Sequence, residues 1–181
     1  MRTRVAINGF GRIGRNAFKI AFVRPDLEIV AINDLSQTKT LAYLLKHDSN
    51  YGLYDRKVGF DDSHILVDDA KIPLIAEKDP KALPWKELDV DVVIESTGRF
   101  TKREDAAMHI TAGAKKVVIS APTKSADVDT LVIGANEHML EHAGDIVSNA
   151  SCTTNSVAAI MAVMDEAYGV EHAMLTTVHS Y

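Results

Sequence analysis

The segment Gly9-Phe10-Gly11-Arg12-Ile13-Gly14, set directly behind the apolar run Val5-Ala6-Ile7, constrains this chain more than any other. After it, Ile13, Ala17, Ile20 and Ala21 recur at helical spacing until Pro25-Asp26. The order is strand, tight turn, helix. Glycines in such a turn let the backbone approach a pyrophosphate, which then rests on the N–H groups and positive dipole end of the helix. A glycine hexapeptide alone is a weak signal, and its context strengthens it. The second apolar run, Glu28-Ile29-Val30-Ala31-Ile32, is followed by Asp34, twenty residues beyond Gly14. A carboxylate there can accept hydrogen bonds from both ribose hydroxyls and would repel a 2′-phosphate. The expectation is a dinucleotide site selective for NAD over NADP.

The same alternation continues along the chain. Thr40 to Lys46 reads as a short helix and Asn50-Tyr51-Gly52 as a turn. Val58-Gly59-Phe60, Ile65-Leu66-Val67 and Ile72-Pro73-Leu74 read as a small antiparallel excursion. Strands are expected at Val90–Glu95, Lys116–Ser120, Thr130–Gly134 and Ile146–Ser148, with a helix near Arg103–Ala112. Near-continuous Val/Ile strands alternating with helices predict a Rossmann-type, doubly wound, mostly parallel α/β sheet, covered on both faces. Two strand ends, Ser96-Thr97-Gly98 and Ser120-Ala121-Pro122, carry small polar residues where ligands of open α/β sheets collect. On local grounds they are equally ordinary loop residues, and Lys78 sits in a plain solvated turn.

After residue 150 a second unit is expected. Val157, Ile160, Met161, Met164 and Tyr168 fall on one helical face ending at Gly169, and Ala173–Val178 reads as a further strand. The expected organisation is a dinucleotide-binding domain over 1–150 and the truncated start of an α/β catalytic domain over 151–181.

Composition excludes several classes. A net charge of −5 without a clustered basic surface gives no reason to expect nucleic acid. The longest uninterrupted apolar run, Val157 to Met164, is far too short for a membrane span. One cysteine rules out an intramolecular disulfide, and with no signal-peptide pattern a reducing, cytoplasmic setting is the expectation. His138 and His142 lie one helical turn apart, but no third ligand accompanies them and no metal is expected.

That single cysteine, Cys152, follows a strand and stands among Ser151, Thr153 and Thr154 at a helix start. A thiolate in the first turn is stabilised by the dipole and by unpaired N–H groups. A lone cysteine is more often an inert core residue, so the polar setting carries the argument for a nucleophile. Such a nucleophile wants a base. Sequence spacing does not choose among His47, His64, His109, His138, His142, His172 and His179.

The segments Val5–Arg15, Ser96-Thr97-Gly98, Ser148–Asn155 and Thr177–Tyr181 together resemble the glyceraldehyde-3-phosphate dehydrogenase family, in order and over the whole chain. Ser148-Asn149-Ala150-Ser151-Cys152-Thr153-Thr154-Asn155 is the most specific of them. The resemblance implies Cys152 as nucleophile and His179 as base, with Ser151 and Thr153 holding phosphate groups. It implies that Gly9, Gly11, Arg12 and Ile13 line the pyrophosphate and that Asp34 holds the adenosine ribose. Lys78, Thr97, Gly98 and Ser120 would complete the NAD site. Glyceraldehyde 3-phosphate and inorganic phosphate would be the substrates, and the family assembles as homotetramers. Erythrose-4-phosphate dehydrogenase shares the cysteine and histidine, aspartate-semialdehyde dehydrogenase matches poorly around Cys152, and a non-catalytic NAD-binding module is the remaining alternative. The chain departs from many relatives at Ser156, where they carry a second cysteine, and at Ile160, where they carry proline. The substrate-phosphate arginine and the nicotinamide-binding asparagine of the family have no counterpart within the chain.

Overall fold

A computed structural model describes residues 2–179. Strand β1 (Thr3–Asn8) leads through the glycine turn into α1 (Arg12–Phe22), and β2 (Leu27–Asn33) returns parallel to β1. Helix α2 (Thr38–Lys46) follows, then a two-residue hairpin of β3 (His47–Asp48) and β4 (Gly52–Leu53). The expected antiparallel excursion is β5 (Val58–Phe60), β6 (His64–Val67) and β7 (Ala70–Ile75). Strand β7 docks parallel on the outer edge of β2 and so joins the excursion to the main sheet. Then come β8 (Val92–Glu95), α3 (Arg103–Thr111), β9 (Lys116–Ile119), β10 (Asp129–Thr130), β11 (Ile146–Ser148) and α4 (Cys152–Tyr168). Among the described residues nine strands form one sheet in the order β10-β11-β9-β8-β1-β2-β7-β6-β5.

Period-two alternation sorts the core onto two faces. Ala6, Val93, Val117 and Ile119 pack on one side with Trp85 and Ala106 of α3. Ile7 and Ile32 pack on the other with Phe10, Phe18 of α1 and Leu41 and Leu45 of α2. Both faces are covered, which is why the strands read as near-continuous apolar runs. No described helix is long and apolar enough to cross a membrane.

Two expected strands are corrected. The one over Thr130–Gly134 stops at Thr130, because the Asn136 side chain captures the backbone: its Oδ1 accepts from Val132 N at 2.8 Å and its Nδ2 donates to Thr130 O at 2.9 Å. The strand expected over Ala173–Val178 is not formed, since a strand needs a partner ladder and none is offered there among the described residues. Helix α4 forms as expected and ends at Gly169 with φ +70°. It buries none of its residues, and Ile160, Met164 and Tyr168 of the apolar face are exposed.

Candidate functional site

The glycine turn is shaped by what cannot fit there. At Gly14 a Cβ would stand 2.1 Å from the Gly9 carbonyl oxygen, so α1 can lie against the end of β1 only without a side chain. At Gly9, with φ +92°, a Cβ would meet Thr97 N at 2.6 Å, which locks the turn to the end of β8. At Gly11 a Cβ would meet nothing within 4 Å. Gly11 is the N-cap of α1 and no side chain caps the helix, so the N–H groups of the exposed Arg12 and Ile13 are left without a side-chain partner. The turn is therefore closed toward the protein and open toward a ligand.

That opening belongs to a cleft of about 590 Å³ at the carboxyl ends of β1, β2 and β8. Of the residues expected from sequence, Gly9, Gly11, Asp34, Lys78 and Thr97 line it. Arg12, Ile13 and Gly98 are exposed beside it. Ser120 does not line the cleft; it follows β9, its hydroxyl donating to Glu95 O at 3.1 Å. Asp34 does more than the sequence reading expects. Its Oδ2 accepts from Phe10 N at 2.8 Å and its Oδ1 from Ser36 N at 2.9 Å, so the carboxylate also pins the glycine turn to the end of β2. Arg15 holds the same turn from the helix side, donating to Phe10 O at 3.0 Å, and burial lowers its pKa from the usual arginine value.

The sequence reading missed the polar residues under the cleft. Asn33 donates to Asn8 Oδ1 at 2.7 Å and exchanges hydrogen bonds with the backbone of Glu77, and Asn8 in turn donates to Glu95. The available signal was a polar residue at the last position of each apolar strand: Asn8, Asn33 and Glu95.

Farther along the same carboxyl edge, the loop from β11 to α4 presents Cys152. Ser148 Oγ donates to Ala121 O at 2.7 Å and accepts from Ala150 N, and Ala150 takes φ +60°. Ser151 caps α4, accepting from Thr154 N at 2.9 Å, and Asn155 Nδ2 donates back to Asn149 O at 2.7 Å. Ser148, Ser151 and Asn155 thus fix the turn. Cys152 is exposed in the first turn of the helix, and neither it nor Thr153 makes a side-chain hydrogen bond among the described residues. His179 is exposed in the irregular segment after Gly169, and the structure forms no hydrogen bond between it and Cys152. Ser180 and Tyr181, the end of the motif around His179, lie outside the described residues. His138 and His142 are exposed on a 3₁₀ turn, and no group of three or more potential metal ligands occurs among the described residues.

Residues 3–103 match the profile described as glyceraldehyde 3-phosphate dehydrogenase, NAD binding domain, and residues 151–181 that of the C-terminal domain of the same enzyme. The chain is 52% identical to the glyceraldehyde-3-phosphate dehydrogenase of Geobacillus stearothermophilus over all of its length. It is 56% identical to that of Thermotoga maritima over 98% of its length, and 51% identical to that of Borreliella burgdorferi, also over 98%. In each case it spans 54% of the relative, about half the length of the curated proteins it matches.

Proposed function

This chain belongs to the glyceraldehyde-3-phosphate dehydrogenase family, and from that premise we propose that it carries the NAD site and the thiol of a phosphorylating aldehyde dehydrogenase acting on glyceraldehyde 3-phosphate. The observation that carries the reading is the strand order. Asp34 follows β2 and Cys152 follows β11, with β1, β8 and β9 between them. Four strand spacings separate them, roughly 19 Å, along a single carboxyl edge of the sheet. An extended dinucleotide anchored by its adenosine ribose at Asp34 and its pyrophosphate at Gly11 would run toward Cys152. The open space at Gly11 and the uncapped N–H groups of α1 suit a phosphate.

Each residue then has a task. Gly9, Gly11, Arg12 and Ile13 receive the pyrophosphate, while Lys78, Thr97, Gly98 and Ser120 line the path onward. Ser151 and Thr153 hold phosphate groups beside the thiol. The Cys152 thiolate adds to the aldehyde carbon and forms a carbon–sulfur bond. His179 takes the thiol proton as the thiolate forms, gives it to the carbonyl oxygen as that bond closes, and takes it back from the resulting hydroxyl as hydride departs. When bound, NAD supplies the acceptor for the hydride that leaves that carbon. Cys152 then carries the acyl group as a thioester until inorganic phosphate displaces it, releasing the thiolate and an acyl phosphate. The remaining contacts of the site, a homotetrameric assembly, the division into a dinucleotide domain over 1–150 and a catalytic domain from 151, and a cytoplasmic location complete the proposal.

The test is turnover by the full-length protein. NAD reduction with glyceraldehyde 3-phosphate should require inorganic phosphate for sustained rate, and Cys152→Ser should abolish it. Faster oxidation of erythrose 4-phosphate, or turnover that persists in Cys152→Ser, would overturn the proposal.

A further inference from the structure

Beneath the cleft lies a carboxylate that the proposed chemistry does not use. Glu95 ends β8 with its side chain 1% exposed. Four donors converge on it: Asn8 Nδ2 at 2.5 Å and His109 Nε2 at 3.0 Å on Oε2, and the Thr97 backbone N at 2.8 Å and the Thr97 hydroxyl on Oε1. The charge of the histidine follows from its other edge. Trp85 Nε1–H can only donate, and it points at His109 Nδ1 from 3.0 Å. Nδ1 therefore holds a lone pair, the ring proton sits on Nε2, and the imidazole is neutral. An imidazolium would set two N–H groups against each other in a fully buried site. Asn8 is oriented as well, because its Oδ1 accepts from Asn33 and leaves Nδ2 to donate. Three of the four partners are N–H groups that can only donate, and hydrogen bonds donated to a carboxylate favour its charged form over the acid, for which only the Thr97 hydroxyl could accept. Glu95 is thus an anion whose hydrogen bonds are met by neutral groups, and among the described residues no lysine or arginine pairs with it.

A buried, unneutralised charge acts on its surroundings with little screening. Asn8 and Thr97, which hold the carboxylate, also line the cleft. With the adenosine half on the β2 side of the glycine turn, the nicotinamide half crosses β8. That ring is cationic in the oxidised cofactor and neutral in the reduced one. We propose that Glu95, held anionic by Asn8, Thr97 and the Trp85-oriented neutral His109, biases the cleft toward the oxidised dinucleotide. Glu95 is a positioning and electrostatic residue, not one that touches the reacting atoms. The inference rests on the reading of the cleft as an NAD site.

Calorimetric titration of the full-length protein with NAD⁺ and with NADH tests it. Glu95→Gln should lower the ratio Kd(NADH)/Kd(NAD⁺) by about four- to fifteenfold, the scale of one charge removed on the order of 10 Å from the ring at an effective dielectric of ~20–40. Glu95→Asp, which keeps the charge, should leave the ratio within about twofold of the parent. Trp85→Phe gives an independent reading, because it frees Nδ1 to accept a proton. The groups facing the His109 ring are Glu95 from β8, Asn8 from β1, Trp85 and Phe100, and of these only Glu95 is ionisable. The Trp85→Phe ratio should match the parent at pH 8.5 and fall toward the Glu95→Gln value at pH 6. A purely structural role would weaken both affinities together and leave the ratio alone. An unchanged ratio in folded Glu95→Gln, or a pH-independent one in Trp85→Phe, overturns the inference while NAD⁺ binding stands. If Glu95→Gln fails to fold, the Trp85→Phe titration decides. Absence of NAD⁺ binding by the parent overturns the reading of the cleft itself, and the inference with it.

Discussion

The glycine turn allows binding and folding to be separated by two substitutions three residues apart. Consider Gly11→Ala first. Its φ of −72° suits any residue and the added Cβ meets no atom within 4 Å. Alanine is a poorer N-cap than glycine by roughly 0.5–1 kcal/mol. Against this, the unfolded chain loses entropy worth about 0.4–1 kcal/mol. The two nearly cancel, so stability should stay within about 0.5 kcal/mol of the parent. The methyl group fills the space into which a pyrophosphate would come, and NAD affinity should fall at least about tenfold, or ~1.4 kcal/mol. Gly14→Ala is the opposite case. Its Cβ would stand 2.1 Å from the Gly9 carbonyl oxygen, a backbone atom that cannot rotate away. Helix α1 must then lift from β1, and overpacking of this kind costs about 3 kcal/mol. For a chain of this size that is a melting-point loss of roughly 6–12 °C. Differential scanning calorimetry and NAD titration on the two variants check both halves. If Gly11→Ala binds NAD as tightly as the parent, or melts as low as Gly14→Ala, the assignment of open and closed sides to this turn is wrong.

Asp34→Ala should lower both NAD affinity and stability, the latter by about 1–2 kcal/mol, because the carboxylate holds Phe10 N and Ser36 N as well as the expected ribose. Equal affinity in calorimetry would refute the ribose role. Ser151→Ala removes the side-chain N-cap of α4 and should cost about 1 kcal/mol of local helix stability. It should also slow alkylation of Cys152 by iodoacetamide, and an unchanged rate would dissociate the cap from the thiol. Asp91 is held below the usual carboxylate range by hydrogen bonds from Arg4 N and then Lys115 Nζ. A depressed folded-state pKa means its contribution is complete above the unfolded carboxylate pKa of about 4 and is lost as pH falls further. The urea midpoint should therefore drop between pH 4 and pH 2.5, and less steeply in Asp91→Asn.

Most of the sheet was legible because its strands are buried on both faces, and burial writes itself into sequence as runs such as Val92-Val93-Ile94. The glycine turn was legible because each glycine answers a different steric demand. What was not legible depends on contacts distant in sequence. Thr130–Gly134 has the composition of a strand, but Asn136 bends it into a turn. Ala173–Val178 has strand propensity, and propensity without a neighbouring ladder forms nothing. Glu95 and His109 lie fourteen residues apart, and neither spacing nor periodicity joins them. Only the packing of α3 across the sheet does so, with Trp85 beneath. Asp34 was read from its distance to Gly14, yet its hold on Phe10 N required the folded turn.

The loop ahead of Cys152 has a consequence for motion. Its clamps tie residues 148–151 to the sheet through Ala121, whereas α4 beyond them buries no residue. Amide exchange should therefore divide the chain sharply at this point. Strand β11 should exchange at the slow rate of the sheet, and the middle of α4 through local openings. Cys152 stands on the boundary, its backbone anchored to the slow part and its helix belonging to the fast one. The thiol is thus held in place by the loop before it, while the first-turn N–H groups that favour its thiolate belong to the helix that opens more readily.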